Sequence, residues 1–264
     1  MKKAYIDGPF GQVHARAWGD GEGAPLLCLP PAPYSGVAYN TIGPLLAAGR
    51  RVVAVDYPGY GGSAPVSGQP RIADYAEAVR AVADGLFPDR TVELMGFHSG
   101  CLVAVEASLM SPERCAGLVL IDIPFFDAAT QARLAEKAAA PFELKPDLSV
   151  LADAWGFSVA KRLETTSLSR AYEMFVDQAS AGEGMNAAFG AAFAYPCAER
   201  FSAVATPTTV IATQSGLLEP TRAAASALPK ADYIERLDIT AAVLERGAEE
   251  IAAELLARSR AGGH

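Results

Sequence analysis

The sequence predicts an α/β protein built on a mostly parallel, twisted sheet flanked by helices, and two observations carry that prediction. Short continuous apolar runs bounded by Pro and Gly recur along the chain, and stretches of helical spacing stand between them. Such runs suit strands covered on both faces, which is the condition of a parallel sheet. Residues 3–18 come first and alternate around a Gly8-Pro9 turn, which reads as a hairpin. Leu26-Leu27-Cys28-Leu29 and Val52-Val53-Ala54-Val55 follow as strands, then a helix over 71–86, a strand from Val92 to Phe97, a helix over 100–110 and a strand from Leu118 to Ile121. A strand from Thr208 to Ala212 and helices over 220–228 and 244–260 complete the alternation.

One stretch breaks the rhythm. Between Pro124 and Pro196 several helix-like segments occur without a convincing strand, so residues 124–196 are expected to form a helical cap inserted into an α/β core domain of residues 1–123 and 197–264. Ten of the chain's aromatic side chains fall in this stretch, Phe125, Phe142, Trp155 and Phe157 among them. A cap so composed would enclose an apolar, water-poor pocket.

Composition excludes several classes of function. A length of 264 residues allows one large core with an inserted subdomain. With 51% apolar residues, the longest uncharged apolar stretches still stop short of the roughly 18 residues that a membrane span needs. Thirty acidic against 22 basic side chains give a net charge of −8, and the cations are scattered, so nucleic acid is not an expected partner. Lys2 and Lys3 precede no apolar signal segment, because Asp7 and Gly8 interrupt it, and a cytoplasmic protein is expected. Cys28, Cys101, Cys115 and Cys197 form no Cys-x-x-Cys pair, and three dispersed histidines make no metal site; the thiols read as small buried hydrophobes. Gly59-Tyr60-Gly61-Gly62 lacks the Lys-Ser/Thr of a phosphate loop, so no nucleotide cofactor, and indeed no cofactor, is expected. The expected partner is a small molecule, and nothing fixes an oligomeric state.

The chemistry concentrates in one turn. Gly96-Phe97-His98-Ser99-Gly100 joins a strand to an apolar helix, with glycines two residues before and two after His98. It resembles the nucleophile elbow of the α/β-hydrolase fold superfamily, whose pattern is G-x-S-x-G. The likeness extends to Asp56-Tyr57-Pro58-Gly59-Tyr60-Gly61-Gly62-Ser63, similar to the superfamily's D-x-P-G-x-G-x-S turn, and to Pro112-Glu113-Arg114 before a strand. Taking Ser99 as the central residue would put Phe97 and Cys101 at the glycine positions, where the turn leaves almost no room. His98 is therefore read as the central residue, and histidine enters left-handed backbone more readily than most residues do.

The resemblance also implies where partners should lie, and the expected residues are missing there. The acid position reads Thr213-Gln214-Ser215-Gly216 with no carboxylate, and Thr240 stands where a histidine would be. Asp122, after the strand beside the elbow, is the carboxylate best placed to fix the tautomer of His98; a turn-stabilising role there is the competing reading. Leu29-Pro30-Pro31-Ala32-Pro33 occupies the place of the oxyanion loop, so the N–H groups of Ala32 and Ser99 are the expected anion hole. Tyr34, Phe125 and Trp155 are the expected substrate contacts. His14 sits in the amino-terminal hairpin, far from the strand ends expected to hold the site, and Asp56 is read as bracing the Pro-Gly turn that follows it. Two functions stay open: an enzyme using His98 as general base or nucleophile on a carbonyl compound, by hydrolysis or by proton abstraction, and a catalytically silent binder of a small molecule.

Overall fold

Alternate side chains of each apolar run go to opposite faces of one sheet, as the two-residue period of a strand requires. Leu27, Leu29, Val53, Val55 and Leu94 enter one hydrophobic cluster, while Leu26, Cys28, Val52, Ala54 and Met95 enter the other. Both faces are therefore covered. The computed structural model describes residues 1–138 and 143–261.

The strands are β1 (Lys2–Gly8), β2 (Gly11–Leu29), β3 (Arg50–Val55), β4 (Val92–Phe97), β5 (Cys115–Ile121), β6 (Thr208–Thr213) and β7 (Ala231–Arg236). β1 and β2 pair antiparallel, whereas β2–β4, β4–β5, β5–β6 and β6–β7 pair parallel. The expected hairpin and the expected strand at Leu26 are one continuous strand in the structure. β2 bends through residues 19–25, where Glu22 and Gly23 both pair with Arg50, and runs along β3 at Ala15 to Trp18 and again at Leu26 to Cys28. The bend lets one strand serve both the hairpin and the parallel sheet.

Helices α1 (Ile42–Leu46), α2 (Ile72–Leu86), α3 (Gly100–Met110), α4 (Ala128–Ala138), α5 (Ser149–Ser158), α6 (Leu168–Ser180), α7 (Ala187–Phe193), α8 (Cys197–Ser202), α9 (Leu218–Ala227) and α10 (Ala248–Ala261) connect and cover the sheet. Between β5 and β6 the described residues form helices and turns but no strand. This helical segment is tied to the core by specific bonds. The backbone N–H and hydroxyl of Ser35 donate to the Asp177 carboxylate of α6 at 2.8 and 2.5 Å, and Arg170 of α6 reaches Glu245 and the Val37 carbonyl at 2.8 Å. Among the described residues no helix is long and apolar enough to cross a membrane.

Candidate active site

The parallel strands end side by side, and their last residues are laced together. The N–H of His98 donates to the Ile121 carbonyl at 3.0 Å, and that of Asp122 donates to the Ile211 carbonyl at 3.1 Å. These bonds set the residues after β4, β5 and β6 at one rim of the sheet, where open α/β sheets place their sites.

The turn after β4 is tight for a steric reason. A Cβ on Gly96 would come within 2.5 Å of the Cys101 backbone, and one on Gly100 within 2.1 Å of the Leu29 carbonyl oxygen, so neither position accepts a side chain. His98 between them has φ of 49°, whereas Ser99 has ordinary helical backbone with φ of −59°. The apex of the turn is His98.

His98 faces a cavity of about 520 Å³ whose wall is mostly apolar, including Pro31, Pro33, Ala38, Phe97, Met174 and Phe189. Two further non-glycine residues have left-handed backbone, Asp122 with φ of 51° and Ala242 with φ of 50°, and both line this same cavity. Among the described residues these are all of that kind, and strained backbone gathers where function over-determines it. The cavity is the candidate site.

Burial, the largest cause, lowers the pKa of the His98 ring to about 4; the Asp122 carboxylate opposes this by raising it, and the charge of Arg162 adds to the depression. The ring is therefore neutral at pH 7. A neutral imidazole offers one nitrogen lone pair as proton acceptor.

Asp122 lines the cavity but does not make the expected hydrogen bond to His98. Among the described residues no hydrogen bond or ion pair joins them; the Thr213 N–H donates to one carboxylate oxygen at 2.8 Å and the Thr213 hydroxyl to the other at 2.6 Å. Asp122 acts on the ring through space. The expected pair of free N–H donors is also altered: the Ala32 N–H already donates to the Ser99 hydroxyl at 2.7 Å. The Ser99 hydroxyl retains its own proton for donation, beside its backbone N–H at the start of α3.

Of the expected contacts, Tyr34 lines the cavity, and its hydroxyl accepts a hydrogen bond from Arg162 at 2.8 Å. Phe125 and Trp155 do not line it. Phe125 lines a separate groove and packs edge-on against Phe201 at 5.2 Å, because the chain turns toward α9 where the Ile123 N–H meets the Thr221 hydroxyl. Trp155 is 39% exposed and packs on Tyr172 and Phe175, between α5 and α6. Phe142 lies outside the described residues. Clustering of aromatic residues in sequence could not tell which helix face meets the cavity.

Arg162 was not expected. It sits in a single 3-10 turn, Ala160–Arg162, between α5 and α6, and no local pattern distinguishes it from a surface arginine. Thr213, Ser215 and Thr240 also line the cavity, at positions where the family resemblance directs attention. The other histidine within the described residues is structural: His14 is buried, with Nδ1 2.7 Å from an Asp56 oxygen that also accepts from the Gly62 N–H. The four cysteines are free, and burial raises the Cys28 thiol to about 12.

The sheet, the flanking helices and the glycine-bounded turn together describe an α/β-hydrolase architecture. The sequence profile of the alpha/beta hydrolase fold matches residues 24–235, and the chain belongs to that family. It is 34% identical over 116 residues to a serine hydrolase-like protein of Danio rerio, covering 43% of this chain and 35% of that one. The chain's matches span from 35% to 59% of the length of that relative and its two human counterparts. Among solved structures, a thermophilic esterase from Thermogutta terrifontis superposes with a TM-score of 0.78 at 18% identity, covering 98% of each chain. The enol-lactonase from Burkholderia xenovorans LB400 superposes with a TM-score of 0.78 at 19% identity, covering 96% of this chain and 98% of that one. At these identities the structural likeness establishes the fold alone.

Proposed function

We propose that the chain is a cofactor-independent enzyme acting on a small, largely apolar carbonyl compound, with His98 in place of the family's nucleophile and working as a general base. One observation carries this reading: a neutral imidazole is held on left-handed backbone at the rim of a mostly apolar cavity. In hydrolysis the ring nitrogen takes a proton from a water whose oxygen adds to the carbonyl carbon. The Ser99 N–H and hydroxyl receive the developing oxyanion, the hydroxyl being oriented by the Ala32 N–H. When the tetrahedral intermediate collapses, the imidazolium returns its proton to the departing oxygen. The same nitrogen could instead remove a proton from the carbon beside a carbonyl, leading to elimination or isomerisation. Asp122 steadies the imidazolium through space in either case. A ring titrating near 4 is always free to accept a proton at neutral pH but is a weak base, so the proposed activity leans on positioning. Direct attack by the imidazole is the less economical variant, because it adds an acyl-enzyme step.

A non-catalytic binder is the second reading. It is favoured by bonds that already occupy the Ala32 N–H and both Asp122 oxygens. Turnover of short esters, lactones and β-dicarbonyl compounds by wild type and His98→Asn separates the two. Asparagine tolerates left-handed backbone and is not a base, so His98→Asn is expected to fold and to lose turnover. Unchanged turnover would rule out the base, and thermal shifts by these compounds without any turnover would establish the binder. No labelling by serine-directed fluorophosphonates is expected; stoichiometric labelling of Ser99 would contradict the assignment of His98.

A further inference from the structure

Arg162 brings a full positive charge to a wall that is otherwise mostly apolar. Its guanidinium lies 5.3 Å from the centre of the Tyr34 ring and gives one hydrogen bond to the Tyr34 hydroxyl, a neutral acceptor. A guanidinium carries five N–H donors in a planar fork, and among the described residues no carboxylate forms an ion pair with this one. The two carboxylates that share the cavity are committed elsewhere: Glu245 is bound by Arg170 at 2.8 and 2.9 Å, and Asp122 by Thr213. The half-buried guanidinium leaves donors of its fork without a protein acceptor among the described residues, and that planar fork matches a carboxylate in two parallel bonds.

We propose that the cavity takes a substrate bearing a free carboxylate, which Arg162 binds while the reacting carbonyl lies against His98. The inference rests on the cavity being the substrate site proposed above, and adds the class of molecule that enters it. A single arginine suits a monoanion; a phosphate dianion would need a second cation, and the cavity lining contains none among the described residues. The volume of about 520 Å³ suits a compact organic acid with an apolar body.

Hexanoate and hexanamide are the probes, with binding measured by calorimetry on wild type, Arg162→Gln and Arg162→Lys. Wild type should bind hexanoate, and Arg162→Gln should weaken it by about ten- to a hundred-fold, as loss of a charge-assisted bond implies. Arg162→Lys, which keeps the charge without the fork, should fall between. Hexanamide binding should be the same in wild type and Arg162→Gln, which also reports that the variant is folded. In turnover, monomethyl adipate should be preferred over dimethyl adipate by wild type, and that preference should vanish in Arg162→Gln. The inference is overturned if wild type binds hexanamide as tightly as hexanoate, if it binds no hexanoate at millimolar concentration, or if Arg162→Gln binds hexanoate unchanged. Turnover persisting in His98→Asn would defeat the general-base reading while leaving the carboxylate result standing, so the two failures are distinguishable.

Discussion

His98 owes its position to the two glycines that flank it. Gly100→Ala would drive a methyl group into the Leu29 carbonyl, 2.1 Å away, and we expect it to cost about 3 kcal/mol in chemical denaturation, at the upper end of overpacking changes. Thr213→Val would remove one of the two donors on the buried Asp122 carboxylate, and should cost about 1–3 kcal/mol in the same measurement. The turn was legible in the sequence because its constraint is local: glycine spacing alone dictates which residue occupies the apex. Asp122 could be located by topology, but its partner could not, since Thr213 lies 91 residues further along and reaches it only through the β5–β6 pairing. Arg162 and the capture of the Ala32 N–H by Ser99 were invisible, because both depend on how separate segments meet in space.

Elements follow the same division between local and distant causes. The apolar runs of β3, β4, β5 and β6 announced themselves because both faces of these strands are buried. β7, Ala231-Asp232-Tyr233-Ile234-Glu235-Arg236, escaped notice because an edge strand needs no continuous apolar run and this one carries three charged residues. α6 is positioned over the sheet by the buried pairing of Asp177 with Ser35. Asp177→Ala would leave the Ser35 N–H and hydroxyl without their acceptor. Expected is a loss of about 2 kcal/mol with faster proteolysis in residues 143–196; a proteolysis pattern identical to wild type would show that other contacts hold the helical segment in place.

For the whole molecule, pH dependence joins stability to the site. His98 titrates lower in the folded chain than in the unfolded one, where about 6.5 is ordinary. The folded state therefore binds fewer protons between roughly 6.5 and 4, and acidification through that window costs stability. Asp177 acts in the opposite sense, because burial raises its carboxyl above the usual range, so that protonation favours the folded state. Denaturation curves at several pH values should accordingly show a shallower loss in His98→Asn than in wild type across that window. Equal slopes would mean that the ring titrates alike in both states.

The general-base claim is tested most directly by the pH dependence of kcat/KM, measured with whichever ester, lactone or β-dicarbonyl compound wild type turns over fastest. A single rise with a midpoint near 4, level through neutrality and abolished in His98→Asn, is the expected result. Undiminished kcat/KM in His98→Asn, or a midpoint near 7 that survives the substitution, would contradict it.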